Sequence, residues 1–182
     1  MSKFEERTIE TNQIYQGKII DLEIDDVILP DGNQSKREIV RHPGAVAILA
    51  MTSENKIVLV EQYRKALGKS IIEIPAGKLE PGEASRITAE RELEEETGYG
   101  ANELTYLMSY YTSPGFADEK IELFLAKDLY KVDEARQGDD DEFVEVIELS
   151  PEEALPYIQE ERIHDAKTIQ AIYYALLKEA KS

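Results

Sequence analysis

The chain has 182 residues, 42% of them hydrophobic and 32% charged, which suits one ordinary domain with a buried core and room for a small extension. Its formal net charge of −17 excludes the basic stripe that a nucleic-acid or anionic-membrane partner requires, so neither is expected. With no cysteine, disulfides, thiolate zinc sites and cysteine nucleophiles are excluded as well.

In chain order, the opening "MSKFEERTIE" holds no apolar run that could serve as a signal peptide. No segment approaches the ~20 apolar residues of a membrane span, so a cytoplasmic protein is expected. The first forty residues read as β-structure. Apolar alternation flanks "PDGN", where Pro30 presets φ and Gly32 is free to take φ > 0, which predicts a long hairpin. "AVAILAM" and "KIVLVEQY" are buried-strand candidates separated by the turn "TSENK", and "SIIEIPAG" is a third. A helix is expected over residues 84–97, closed by Gly98 in the left-handed conformation. Strands resume at "LTYLMSYY", "KIELFLAK" and "FVEVIEL". "SPEE" at 150–153 is a capping box that opens a short helix. Asp165 caps a last helix, on which Ile169, Ile172, Tyr173, Leu176 and Leu177 form an expected core stripe. The sum is a mixed α/β domain at 42–182 with a β-rich N-terminal subdomain at 1–41.

The stretch "ERELEEETG" crowds carboxylates into the end of the expected helix. At ~100° per residue, Glu92, Glu95 and Glu96 share one face while Ala89, Leu93 and Thr97 pack beside it. A solvated acidic surface is the ordinary explanation of such a run. Two costs count against it. Like charges at i,i+4 destabilise a helix by ~0.2–0.5 kcal/mol per pair. The last turns also carry the negative end of the macrodipole. Arg91 offsets part of this through Glu95, and a divalent cation held by hard oxygen ligands removes the rest. Such a cation would also let an acidic protein hold a phosphate ester. Spacing alone leaves the metal and the solvated surface open.

The stretch "GKLEPGEASRITAERELEEETGY" resembles the Nudix box, G-x5-E-x7-R-E-U-x-E-E-x-G-U, at Gly77, Glu83, Arg91, Glu92, Leu93, Glu95, Glu96 and Gly98. Tyr99 stands at the final position in place of an aliphatic residue. The resemblance implies an α/β/α sandwich built round a mixed sheet and a hydrolase of nucleoside diphosphate derivatives. It also implies two or three Mg²⁺ ions, with Mn²⁺ an alternative, ligated by Glu92, Glu95, Glu96 and the carbonyl of Ala76. Arg91 and Glu83 would then tie loop to helix, and Gly77 and Gly82 would let the loop backbone approach the phosphates.

Beyond the box, "YYTSPGFADEKIELFLA" resembles ADP-ribose pyrophosphatases, which place a proline about sixteen residues past it. Pro114 lies sixteen beyond Gly98. "KREIVRHPGAVAILA", "EQYRK", "EIPAGKLE", "DEFVEV" and "DAKT" extend the resemblance over most of the chain. It implies hydrolysis of ADP-ribose to AMP and ribose 5-phosphate, substrate contacts from Arg37, Arg64, Glu73 and Glu119, and a homodimer exchanged through the N-terminal region. The general base is expected in "GDDDEFVEV", at Glu142 with Asp140 or Asp141 as alternatives. His42 and His164 are read as structural. Competing readings are another nucleotide-sugar, NADH or oxidised-nucleotide substrate, a non-catalytic ADP-ribose sensor, and a purely structural acidic helix.

Overall fold

The computed structural model describes residues 2–133, 136 and 143–180. The chain forms two compact units, Met1–Gly44 with Tyr110–Ile121, and Ala45–Ser109 with Glu122–Ser182.

The first unit is built on an antiparallel sheet of β1 (Arg7–Gln16), β2 (Asp21–Ile28) and β3 (Gln34–Arg41), in that order. The expected hairpin is present. Ile28 pairs with Gln34 across "PDGN", Gly32 adopts φ 87°, and its N–H donates to the Leu29 carbonyl at 2.9 Å. A buried Asp25 would be costly alone, but the hydroxyls of Thr8 and Thr11 donate to its two oxygens at 3.2 and 2.6 Å. Every residue of β1 is exposed, Ile9, Ile14 and Tyr15 among them. The Tyr110–Ile121 segment joins this unit at the end of β3. There Val40 N–H donates to the Phe116 carbonyl at 2.8 Å and the Val40 carbonyl accepts from Asp118 N–H at 3.2 Å.

The second unit holds β4 (Ala45–Met51), β5 (Ile57–Arg64), β6 (Lys69–Glu73), β7 (Ala76–Lys78), α1 (Ser85–Thr97), β10 (Val144–Leu149), α2 (Ala154–Gln159) and α3 (Ala166–Glu179), with most of β8 (Tyr99–Tyr111) and β9 (Lys120–Lys131). The strands form a mixed sheet in the order β10-β5-β4-β9-β8. The segment expected as one strand, "SIIEIPAG", divides at Pro75: β6 pairs with β5, whereas β7 pairs with β4. A proline removes a ladder donor, and its carbonyl is instead taken by Ile48 N–H at 2.8 Å.

Alternate residues of β4 face opposite sides of the sheet. Val46, Ile48 and Ala50 meet Ala89 and Leu93 of α1 in one buried cluster. On the other side, Leu49 borders the same cleft as Tyr174 and Ala175 of α3. Helices on both faces give the expected sandwich.

Local end signals behave as their chemistry dictates. Gly98 is left-handed at φ 68° and donates to the Glu94 carbonyl at 2.8 Å. Asp165 accepts from Thr168 N–H at 3.1 Å. Ser150 and Glu153 exchange side-chain-to-backbone bonds at 2.8 and 3.2 Å, but round a turn at 151–153, and α2 starts only at Ala154, later than the capping box predicted. The stripe on α3 requires correction. Thr168, Ala171, Ile172 and Ala175 are the buried positions, while Tyr173 and Leu177 are exposed. Among the described residues no helix is long and apolar enough to cross a membrane.

Candidate functional site

The buried anchors Ala89 and Leu93 (0% and 1% exposed) fix the rotation of α1, and that rotation turns Glu92 and Glu96 toward β7. Both carboxylate residues are themselves nearly buried, at 7% and 5% exposure. Glu96 Oε2 accepts from Ala76 N–H at 3.1 Å. Glu92 lies against Gly77 so closely that a methyl group there would overlap its carboxylate. Gly77 does not have positive φ, so glycine is needed for space rather than for conformation.

Arg91 organises the rest. Its Nη1 donates to Glu92 Oε1 and to Glu95 Oε2, each at 2.8 Å, and its Nη2 donates to Glu83 Oε2 at 3.3 Å. Burial opposes its charge, but these carboxylates outweigh burial and hold the guanidinium above its ordinary pKa. The Arg91 bond, reinforced by the Thr88 hydroxyl, holds Glu83 below the usual carboxylate value. The buried Arg91 Nε has no hydrogen-bond partner among the described residues.

A second cluster lies at the end of β6. Glu73, 1% exposed, takes both oxygens to Arg64: Nε donates to Oε1 at 2.8 Å and Nη2 to Oε2 at 2.6 Å. Lys167 of α3 donates to the same Oε2 at 2.5 Å and to Asp165 Oδ2 at 3.0 Å. Burial pushes the Glu73 carboxyl up, yet the bonds and charges of Arg64 and Lys167 prevail and leave it below its ordinary value. Arg64 is raised chiefly by its bond to Glu73, with the charge of Glu96 contributing. The two clusters therefore share one electrostatic field.

Three further expected residues, Arg37, Pro114 and Glu119, belong to the first unit. Arg37 makes a bidentate pair with Glu6 at 2.7 and 2.6 Å. Pro114 is exposed in a turn where Phe116 N–H donates to the Ser113 carbonyl at 3.1 Å, the position at which proline's fixed φ suits a β-turn. Glu119 accepts the Thr112 hydroxyl at 2.5 Å and lies 3.8 Å from His42 Nε2. Gly44 N–H donates to His42 Nδ1 at 3.1 Å, and His42 N–H donates to Asp118 at 2.8 Å. His42 thus has a structural part in fastening this loop. Glu142, Asp140 and Asp141 lie outside the described residues.

The α1 donors suit a hard divalent cation. They are all oxygen, they stand on one helix face, and Gly77 leaves the Glu92 carboxylate open room beside the backbone. Among the described residues no three acidic or histidine side chains are already drawn about one point; Arg91 engages Glu92 and Glu95 instead. Sequence reasoning missed Lys167 and Thr168 as supports of the Glu73–Ala76 segment. Their only sequence signal was "DAKT", read as a cap at Asp165 and as part of the resemblance, with no role given to Lys167 or Thr168.

Comparison with known proteins accords with this arrangement. Residues 40–172 match the NUDIX domain, and residues 6–40 match the nucleoside diphosphate sugar hydrolase N-terminal domain. The methanol dehydrogenase activator of Bacillus methanolicus is 62% identical over 177 residues, 97% of this chain and 96% of that protein. The ADP-ribose pyrophosphatase of Bacillus subtilis (strain 168) is 57% identical over 180 residues, 99% of this chain and 97% of that protein. A crystal structure of an ADP compounds hydrolase superposes with a TM-score of 0.84, covering 100% of this chain and 97% of that one, at 21% identity. That last likeness speaks for the fold.

Proposed function

This chain belongs to the Nudix family, and from that premise we propose that it hydrolyses the diphosphate of ADP-ribose to AMP and ribose 5-phosphate. The observation that carries the substrate is 57% identity to an ADP-ribose pyrophosphatase over 99% of the chain. Nudix ADP-ribose pyrophosphatases are in general divalent-metal dependent. Glu92, Glu95, Glu96 and the Ala76 carbonyl would hold the ions, two or three Mg²⁺ with Mn²⁺ as an alternative. When bound, such ions offset phosphate charge and lower the pKa of a water.

The chain's own residues do the rest of the work in this reading. Arg91 keeps the carboxylates of α1 and the Glu83 loop in register. Gly77 leaves room for Glu92, and the Ala76 amide orients Glu96. Arg64, half-exposed and permanently charged, meets an anionic part of the substrate. Glu73, expected as a substrate contact, is instead read as the holder of the Arg64 fork, because it is 1% exposed and both its oxygens are taken. Arg37, Pro114 and Glu119 are further proposed substrate contacts. Glu142, or Asp140 or Asp141, takes the proton of the attacking water.

Residues 1–41 act as a subdomain that pairs two copies of the chain. The support is an edge strand, β1, exposed at every position with Ile9, Ile14 and Tyr15 on it, which is a surface that soluble proteins ordinarily cover. A monomeric mass by light scattering at micromolar concentration would overturn the dimer. A cytoplasmic location is part of the same proposal.

The test is hydrolysis of ADP-ribose with Mg²⁺ beside ADP-glucose, NADH and 8-oxo-dGTP, with Glu96→Gln as control. AMP released fastest from ADP-ribose, and lost in the variant, is the expected result. Turnover confined to another substrate rejects the specificity. Binding of ADP-ribose without turnover of any substrate favours a sensor. A second reading rests on the 62% identity to a methanol dehydrogenase activator. In it the chain stimulates a dehydrogenase, and the check is methanol oxidation by such an enzyme with and without this protein.

A further inference from the structure

We propose that Lys167 is a positioning residue for substrate binding, holding Glu73 from the α3 side so that Arg64 presents its charge in one fixed direction. The inference rests on the reading of Arg64 as a contact for the substrate's anion.

Arg64 is the last residue of β5, followed by a turn, and its side chain is 40% exposed. A long side chain in that position is expected to sample several rotamers, and each must be given up when a ligand binds. Here the Nε and Nη2 edge of the guanidinium is committed to Glu73, a fork-to-fork pairing that fixes the plane of the group. The lock is only as rigid as the carboxylate it grips. Glu73 is gripped in turn by Lys167 at 2.5 Å, through a side chain only 12% exposed.

Arg64 and Lys167 face two carboxylates, Glu73 and Asp165, so the charges balance with the lysine in place. Helix position, by contrast, argues against a lysine here. Lys167 stands in the first turn of α3, where the macrodipole disfavours a cation. A residue that breaks a local rule is expected to have a compensating purpose, and the contacts to Glu73 and Asp165 locate it. The next residue supplies an internal control. Thr168 ties α3 to the same segment by accepting Ile74 N–H at 2.9 Å, and among the described residues it bonds to neither Glu73 nor Arg64.

The test is steady-state kinetics on ADP-ribose with Mg²⁺ for the wild type, Lys167→Met, Arg64→Ala, the double variant and Thr168→Val, each with its thermal midpoint. Lys167→Met is expected to raise KM about tenfold and to leave kcat within about twofold, the scale of one weakened charge-assisted contact. In the Arg64→Ala background the same change is expected to leave KM where Arg64→Ala put it. Thr168→Val is expected to lower the thermal midpoint without moving KM. An unchanged KM in Lys167→Met overturns the inference, as does an equal rise in both backgrounds. If Lys167→Met does not fold, Lys167→Gln enters the same cycle with the same criteria. A wild type that neither binds nor hydrolyses ADP-ribose overturns the functional reading, and the inference with it.

Discussion

Replacing Gly77 by alanine separates the geometry of the acidic cluster from its stability. The added methyl would coincide with the Glu92 carboxylate, and β7 cannot retreat because Ala76, Gly77 and Lys78 are paired with Ala47, Val46 and Ala45 of β4. The colliding atoms are the far end of a flexible side chain, so Glu92 yields instead. Overpacking of this kind costs at the low end of its range, about 1 kcal/mol. For a chain of this size that lowers the thermal midpoint by about 2–4 °C. Function is far less forgiving, since displacing a catalytic group by about 1 Å can cost roughly a hundredfold in rate. The assay is ADP-ribose hydrolysis across a Mg²⁺ titration, with thermal unfolding in parallel. A roughly hundredfold loss of kcat beside a small thermal shift is expected. A variant that keeps wild-type turnover and wild-type metal dependence refutes the idea that the Glu92 carboxylate must stand against Gly77.

Glu73→Ala leaves Arg64 and Lys167 without their shared buried partner; Arg64 stays part-solvated and Lys167 keeps Asp165, so the expected cost is about 1–3 kcal/mol, read by denaturant or thermal unfolding. Leu93→Ala empties a fully packed position in the α1 cluster, with an expected cost of about 2–5 kcal/mol by the same measurement. Acid titration follows from the depressed carboxyls of Glu73 and Glu83. A group whose folded pKa lies below its ordinary 4.5 contributes its stability fully above that pH, so the midpoint is expected to fall as pH drops below 4.5. Chelation with EDTA is expected to abolish turnover and Mg²⁺ to restore it, and Mg²⁺ is expected to raise the thermal midpoint of the wild type by mass action but not that of Glu96→Gln.

Much of this was legible because it is written in short sequence intervals. Gly98, "PDGN" and the cap at Asp165 each act within four residues, and each appears where local chemistry puts it. The Arg91–Glu95 pair and the inward turn of Ala89 and Leu93 follow from helical spacing alone. What escaped reading depends on partners far apart in the chain. Lys167 and Glu73 meet across 94 residues, with no local pattern to announce it. The division of "SIIEIPAG" is set by which neighbour each half pairs with, and Pro75 alone does not reveal that exchange. On α3, hydropathy favoured the large residues, whereas close packing selected Ala171 and Ala175.

The first unit draws on both Met1–Gly44 and Tyr110–Ile121, and this fixes an order of events during synthesis. At ribosomal rates of about 5–20 residues per second, the hairpin precedes the segment that bonds to Val40 by several seconds. Through that interval the end of β3 must wait with its backbone groups unpaired and the exposed β1 beside β2 in the same sheet. The strongly acidic composition then has a second use, because mutual repulsion between nascent chains discourages their strand edges from pairing with one another before the native partner arrives.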